Sequence, residues 1–463
     1  MSGPAGWAPY VTPDALGPFL AGRRWSGARG GAVRVLDVPT LAPLRGDPPT
    51  ALATVRVAVG DGTPYELLVP LVRAADGGVE DAALDAGFRG WLYDAVRGGA
   101  TLGGVLDAAP LDGAALPPSA GSRVSSAEQS NTSLVYPDAG VMLKLFRRVE
   151  TGENPDVEVG RFLARRGFPH TPRLLGTLTL RRPGGDAVVG MAQQLVPGAE
   201  DAWAHAVRAA AAFLAGDAGG DYADEAGRLG AVTRALHDAL AGDAADPDFA
   251  PEPATAADVA RWAAAAERAL GDAVRAAEGS AEPGAAVLHA RQADVRGLIA
   301  RTAASLGDDA GAAMRHHGDY HLGQVIRGSD GGLYVIDFEG EPAKPLAERR
   351  RKHAPLRDVA GMLRSFGYAA AFAERAADGS PQAAERVAAW EQGARRAFLD
   401  AYFAGGAAAY LPSTRAGEEA LLALFELEKV VYEVTYELRN RPDWVGIPLA
   451  GLDRLARGST IAG

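Results

Sequence analysis

The chain has 463 residues, 48% hydrophobic and 23% charged, with a net charge of −11 and no cysteine. By length and composition it is a soluble globular protein of about two to four structural units, and disulfides, thiolate metal sites and cysteine nucleophiles are excluded. The acidic balance argues against nucleic acid or an anionic membrane as a partner. The first ten residues lack the charge and apolar run of a signal peptide, and no stretch approaches the ~18 apolar residues of a membrane span, so a cytoplasmic location is expected.

Residues 32–72 alternate, with Val33 and Val35, then Val55, Val57 and Val59, then Tyr65, Leu67 and Val69. Asp61-Gly62 turns between the last two runs, which predicts a small, mostly antiparallel sheet. A helix carrying Phe88, Trp91, Leu92 and Val96 is expected over 81–97. The Pro-, Ala- and Gly-rich residues 108–122 read as a link.

Residues 125–146 (SSAEQSNTSLVYPDAGVMLKLF) predict a polar loop with Ser130, Asn131, Thr132 and Ser133, then a hairpin whose return strand carries Lys144. Val141, Leu143 and Leu145 face one way; Met142, Lys144 and Phe146 face the other. A lysine inside a strand is uncommon; it suits pairing with ATP phosphates, or protection of a sheet edge. The polar run occupies the place of a phosphate-covering loop, without its usual glycines. Glu158, in a helix expected over 156–166, is the candidate partner of Lys144 or an exposed helical glutamate.

Strand-like runs follow at 174–178 and 188–196, the second ending in Gln194, Leu195 and Val196 before Pro197-Gly198. In a kinase architecture this is the hinge that holds adenine through backbone groups. Helical periodicity then dominates, interrupted by loops at 217–224 and 251–254. The last long helix, expected over 418–439, puts Leu424, Leu427, Val431, Val434 and Leu438 on one face. Glu426, Lys429, Glu433, Tyr436 and Asn440 lie on the opposite face, which suits either solvent or a sugar site.

The chemistry concentrates in residues 317–342, HGDYHLGQVIRGSDGGLYVIDFEGEP. Asp319 and Asp337 flank a hairpin whose turn, Ser329-Asp330-Gly331-Gly332, supplies the needed glycines. Phosphoryl transfer by the kinase mechanism uses one aspartate to orient the acceptor hydroxyl. An amide five residues on, and an aspartate after a hairpin, hold the magnesium ions that bridge the ATP phosphates. Gln324 stands at the amide position, where a Gln carbonyl serves a hard cation as an Asn does. Each residue alone would pass as a turn aspartate or a satisfied core histidine; the spacing, hairpin and second acid together favour the catalytic reading.

With these residues in view, the chain resembles the actinobacterial maltokinase-like sugar kinases, within the aminoglycoside-phosphotransferase-like, eukaryotic-kinase-like folds. Four stretches carry the resemblance: SSAEQSNTS with VMLKLFRR, HGDYHLGQV, IDFEGEPAKPLAERRRKHAPLRDVAGMLRSF, and YEVTYELRNRPDW. It implies an α+β, bilobal protein-kinase-like fold: an N-terminal β-rich cap (1–108), a β-sheet ATP lobe (109–200) and a large, mainly helical C-terminal lobe (201–463). It also implies ATP and Mg2+ as cofactors, a small sugar as partner and a monomer. Carried over residue by residue, Asp319 is the catalytic base, and Gln324 and Asp337 are the magnesium ligands. Lys144 with Glu158 serves the phosphates, Gln194 to Val196 form the hinge, and His321, Asp358, Lys429 and Tyr432 belong to the sugar site.

Departures from the maltokinase pattern bear on the substrate. The front motif is Arg24-Trp25-Ser26-Gly27-Ala28-Arg29, the closing motif is Val445-Gly446-Ile447-Pro448-Leu449, and residues 216–225 look inserted. A divergent branch of the resembled family phosphorylates glucosamine, whose protonated amine favours a carboxylate-rich site, with Glu433 and Asp358 available. Glucosamine at O6 is placed ahead of maltose at O1, and both remain open. A catalytically idle sugar or nucleotide sensor is the third reading; the intact set Lys144, Asp319, Gln324 and Asp337 stands against it.

Overall fold

The computed structural model describes residues 6–28, 31–60, 62–74, 77–125, 130–280, 282–342, 344–376 and 381–457. The chain divides into two compact units: Met1–Ala164 with Pro172–Pro197, and Arg165–Thr171 with Gly198–Gly463.

The first unit is built on two sheets. Strands β1 (Val33–Gly46), β2 (Pro49–Val59), β3 (Tyr65–Arg73) and β4 (Val79–Asp81) pair in chain order, all antiparallel. This is the sheet the alternating pattern predicts. Helix α1 (Pro13–Ala21) covers one face with Leu16 and Leu20, both fully buried beside Trp7. Its start is set by Thr12, whose hydroxyl accepts from Ala15 N, and by Pro13 in the first turn.

The second sheet has seven strands in the order β5 (Ala100–Leu102), β6 (Leu106–Pro110), β10 (Leu174–Leu180), β11 (Ala187–Gln194), β9 (Val141–Leu145), β8 (Thr132–Tyr136) and β7 (Arg123–Val124). Helix α2 (Ala86–Gly98) presses Phe88, Leu92 and Val96 into the same core. It begins later than the periodicity suggests because Asp85 caps it, accepting from Phe88 N at 2.6 Å. Val141, Leu143 and Leu145 enter that core, while Phe146 joins a separate cluster with Val157, Leu174 and Met191, as the strand pattern predicts. Helix α3 (Pro155–Arg165) follows the hairpin.

Arg147 ties the two sheets together. Fully buried, it donates to Asp81 Oδ2 at 2.6 Å, Thr132 Oγ1 at 2.8 Å and Leu68 O at 3.3 Å. Its guanidinium also lies 4.2 Å from the Trp25 ring centroid. Burial lowers its pKa, and Asp81 works against that shift.

The second unit is mainly helical. It contains α4 (Ala202–Ala215), α5 (Ala223–Leu240), α6 (Ala256–Ala277), α7 (Pro283–Leu306), α8 (Leu346–Arg349), α9 (Leu356–Arg375), α10 (Pro381–Phe403), α11 (Arg415–Asn440) and α12 (Gly446–Ala456). Two small sheets interrupt it: β12 (Glu200–Asp201), β15 (Val325–Arg327) and β16 (Leu333–Val335); and β13 (Glu252–Pro253) with β14 (Ala312–Ala313). Helix α9 is buried along most of its length, and α11 lies against α6, α7, α9 and α12.

Leu424, Leu427, Val431 and Val434 of α11 are buried, as predicted. The polar face needs a correction. Glu426 is fully buried and grips Arg395 with both oxygens, at 2.8 and 2.9 Å. A helix enclosed by several neighbours has no single solvent face, so its polar residues must find partners. Residues 217–224 are also more ordered than a plain loop. α4 ends at Gly216 in the left-handed region (φ 82°), a short 3-10 turn spans Ala218–Gly220, and Tyr222 is buried as α5 begins.

Removing one member of a buried ion pair leaves the other charge unpaired, at a cost of about 3–5 kcal/mol. Asp81→Ala is therefore expected to lower the urea midpoint of the first unit by that order. The paired change Asp81→Leu with Arg147→Met should lose much less.

Candidate active site

The loop that carries Asp319 runs from β14 to β15, and Asp358, in the first turn of α9, holds it. Asp358 is 2% exposed. Its Oδ2 accepts from His317 N at 2.7 Å and from His237 Nε2 at 3.3 Å, and its Oδ1 accepts from Gly318 N at 3.0 Å. Burial alone would raise the pKa, but the imidazoles of His316, His237 and His317 and the His237 hydrogen bond outweigh it. The carboxyl is held well below the usual range.

His317 passes this anchoring on. Its Nε2–H donates to Ile336 O at 2.9 Å, which leaves Nδ1 to accept from Asp319 N at 3.3 Å; the tautomer follows from the two partners. The segment preceding Asp337 is thereby tied to the backbone of Asp319. Ile336 N also donates to Gln324 O at 2.9 Å, and Val325 pairs with Val335 across the hairpin.

Asp319 is partly exposed, with its Oδ1 3.9 Å from Lys429 Nζ. Asp319 and Lys429, each named from the sequence, come together here. Tyr432, three residues along α11, is 52% exposed. His321 Nδ1 accepts from Gly323 N at 3.0 Å and opens the turn Leu322–Gln324. Burial lowers the His321 pKa, with Asp319 opposing.

Gln324 Nε2 donates to Asp337 Oδ2 at 3.3 Å, so the Gln324 carbonyl is available for another role. Asp337 has φ 67°, the one positive value among described non-glycine residues. Asp337 and Glu339 each bring a carboxylate oxygen within 4.8 Å of the other's. An amide oxygen and two carboxylates are hard donors that suit magnesium. The sequence reading passed over Glu339, two residues beyond Asp337 in the turn that follows β16.

Two residues predicted for the sugar site do other work. Asp358 is consumed by the loop. Glu433 binds Arg364 through Nε at 3.0 Å and Nη2 at 2.9 Å. Glu433 meets Arg364 where α9 and α11 pack together, a neighbour that helical periodicity cannot reveal. Glu341, which feels the charge of Lys429, accepts from Arg357 Nη2 at 2.9 Å and lies 3.1 Å from Lys344 Nζ. Burial pushes the Glu341 pKa up, but Lys429, Arg357 and Lys344 outweigh that and bring it down to about 2.

In the first unit, Lys144 is 5% exposed and pairs in register with Ser133 and Met191. Its Nζ lies 3.1 Å from Asp156 Oδ2, in the first turn of α3. Sequence reasoning named Glu158, buried in that same turn, and missed Asp156. Thr132 and Ser133 also need correction: they lie inside β8 and are buried, with Thr132 Oγ1 accepting from Arg147. Apolar β8 neighbours draw these small hydroxyls into the strand. Ser130 and Asn131 precede it, and residues 126–129 of the expected phosphate loop lie outside the described residues. At the expected hinge, Gln194 N donates to Arg173 O at 2.9 Å and Leu195 N to Gly140 O at 2.8 Å. The Val196 amide has no partner among the described residues.

No family model matches the chain. It is 32% identical over 387 residues to a glucosamine kinase of Streptacidiphilus jiangxiensis, covering 82% of this chain and 83% of that protein. The chain belongs to the glucosamine kinase family. A second glucosamine kinase, from Mycolicibacterium smegmatis, is 32% identical over 350 residues, covering 72% of this chain and 79% of that protein. Among solved structures, a glucosamine kinase in crystal form B has TM-score 0.69 at 27% identity, covering 92% of this chain and 94% of that one. A glucosamine kinase in complex with glucosamine, ADP and inorganic phosphate has TM-score 0.67 at 25% identity, covering 96% of this chain and 100% of that one. The α+β kinase-like fold expected from the sequence, with a β-sheet lobe and a helical lobe, is the fold of the glucosamine kinases and of this chain. No helix among the described residues is long and apolar enough to cross a membrane.

Asp358→Asn turns one acceptor into a donor facing a backbone amide. It should cost about 1.5–3 kcal/mol in urea unfolding and lower turnover with little change in nucleotide binding. Glu341 has a folded pKa of about 2 against 4.5 unfolded, so the unfolded chain binds the proton first. Its stabilisation is complete above 4.5 and is lost as pH falls toward 2. Unfolding measured down an acid series should show this limb, and Glu341→Gln should flatten it.

Proposed function

We propose that the chain transfers the γ-phosphoryl group of ATP to the 6-hydroxyl of glucosamine, giving glucosamine 6-phosphate and ADP. The observation that carries this reading is the 32% identity to glucosamine kinases over most of both chains, with Asp319, Gln324 and Asp337 present and ordered by one hydrogen-bonded loop. The proposed roles are these. Asp319 orients the hydroxyl and takes its proton as oxygen attacks the γ-phosphorus and ADP leaves. Lys429 fixes the Asp319 carboxylate and, with His321 and Tyr432, faces the acceptor. Lys144, steadied by Asp156 and Glu158, meets the nucleotide phosphates, and Gln194, Leu195 and Val196 form the hinge, where the Val196 amide contacts adenine. Gln324, Asp337 and Glu339 would hold magnesium, which neutralises charge on the transferring group.

The same reading makes residues 1–108 a cap, 109–200 the nucleotide-binding part and 201–463 the acceptor-binding part. It places a monomer in the cytoplasm, where ATP is supplied, and the charge of −11 speaks against nucleic acid as a partner.

ATP consumption with magnesium should be measured against glucosamine, maltose, glucose, N-acetylglucosamine and kanamycin. Glucosamine is expected to lead; a clear preference for maltose would overturn the substrate, and silence on every sugar would overturn the activity. Asp319→Ala should cut turnover by about 10²–10⁴-fold while leaving ATP binding near normal. Asp337→Asn should slow the reaction and raise the magnesium concentration it needs. Unchanged magnesium dependence would remove Asp337 from the metal site.

A further inference from the structure

The helical unit contains a cavity of about 130 Å³ that neither Asp319 nor Lys429 lines, although Gly318 and Gly340 form part of its wall. Six cations line it: Arg261, Arg268, Lys344, Arg349, Arg351 and Arg357. Three carboxylates line it with them, Glu341, Glu348 and Glu428; Arg261 pairs with Asp258, and Lys344 with Glu341 and Glu348. Arg357 is committed to Glu341 and Glu428. Arg268 and Arg351 are exposed and make no ion pair among the described residues.

The polar atoms of the lining are the second observation. Trp262 Nε1 and Arg357 Nε carry N–H groups, are buried, and have no hydrogen-bond partner among the described residues. His316 Nε2 and His353 Nδ1 are in the same state, and Trp262 is 1% exposed. Buried donors without partners are rare and costly in native proteins. Here two such donors, and two imidazole nitrogens that donate or accept according to tautomer, belong to residues around one cavity. One acceptor, Glu428 Oε2, is also buried without a partner.

The wall is shaped for close approach. Gly318 has φ 89° and Gly340 has φ 70°, and a Cβ on Gly318 would come within 3.4 Å of the Gly340 Cα. The missing side chains let these two backbone segments approach each other closely in the wall.

We propose that this cavity binds a small sugar phosphate, at a site separate from the carboxylates of the catalytic loop. The guanidinium groups of Arg268 and Arg351 and the unpartnered N–H groups of Trp262 and Arg357 suit a phosphomonoester dianion. Glu428 Oε2 requires a donor, which a hydroxyl or ammonium group on the sugar supplies and a bare phosphate dianion does not. The ligand would touch Gly318, directly before the proposed base, and Glu341, the carboxylate that Lys429 influences. A product-like molecule would then report on the catalytic loop without occupying it.

Calorimetric titration of the full chain tests this, with Mg-ADP and glucosamine added to fill the catalytic centre. Glucosamine 6-phosphate is expected to bind once per chain and more tightly than inorganic phosphate. The double variant Arg268→Ala, Arg351→Ala should lose about tenfold or more of that affinity, as expected for removed charge-assisted contacts. The KM values for ATP and glucosamine should be unchanged, and Lys at both positions should restore most of the binding. Absence of binding, equal or tighter binding of inorganic phosphate, or full affinity in the double variant would overturn the proposal. Because binding is read directly, a failure to phosphorylate glucosamine would count against the proposed activity and not against this site.

Discussion

A buried aspartate holds two backbone amides in place when the helix that carries it is itself fixed, and the loop that carries Asp319 depends on that condition. Asp358 sits in the first turn of α9, a helix covered along most of its length. Its carboxylate fixes His317 N and Gly318 N, and His317 passes the constraint to Ile336 O and Asp319 N. One side chain thus bears on the segments that carry Asp319 and Asp337. Charge supplies the strength, since an ionised acceptor makes hydrogen bonds about twice as strong as neutral ones.

The same economy appears elsewhere as buried arginine. Arg147 with Asp81, Arg395 with Glu426, and Arg364 with Glu433 are cations held in the interior by a carboxylate partner. The planar guanidinium presents several donors at once and loses little freedom in doing so, which makes arginine the suitable interior cation. Lysine is scarce by contrast: Lys144, Lys344, Lys352 and Lys429 are all the chain has. Two of the four are the lysines proposed for the phosphates and for Asp319, and a third lines the cation-rich cavity. In so arginine-rich a sequence, a retained lysine is itself a positional signal.

Much of this was legible in the sequence because local chemistry determines it. Alternation marked the faces of β9, the glycines of the 329–332 turn marked the hairpin, and the Asp319-to-Gln324 interval marked the loop. The errors have other causes. Glu426 and Glu433 were read as surface or site residues because periodicity assigns a face but not what covers it, and Asp358 was placed at the sugar site by resemblance; the structure gives them Arg395, Arg364 and backbone amides instead. Thr132 and Ser133 looked like loop residues by polarity, yet the strand beyond them claims both. Asp156 and Glu158 share one helical turn, and only three-dimensional geometry shows Asp156 beside Lys144.

Asp337 stands at φ 67°, a region that aspartate, asparagine and glycine enter at low cost and that most other side chains avoid. The backbone therefore narrows the alphabet at this position to three residues, of which aspartate alone bears a charge. A lineage shedding its chemistry would pass most easily to asparagine or glycine here, keeping the hairpin while losing the anion. Alanine or glutamate would strain the chain and disable the site in a single step. Asparagine or glycine at this position in a relative would thus mark a fold conserved after its chemistry was abandoned.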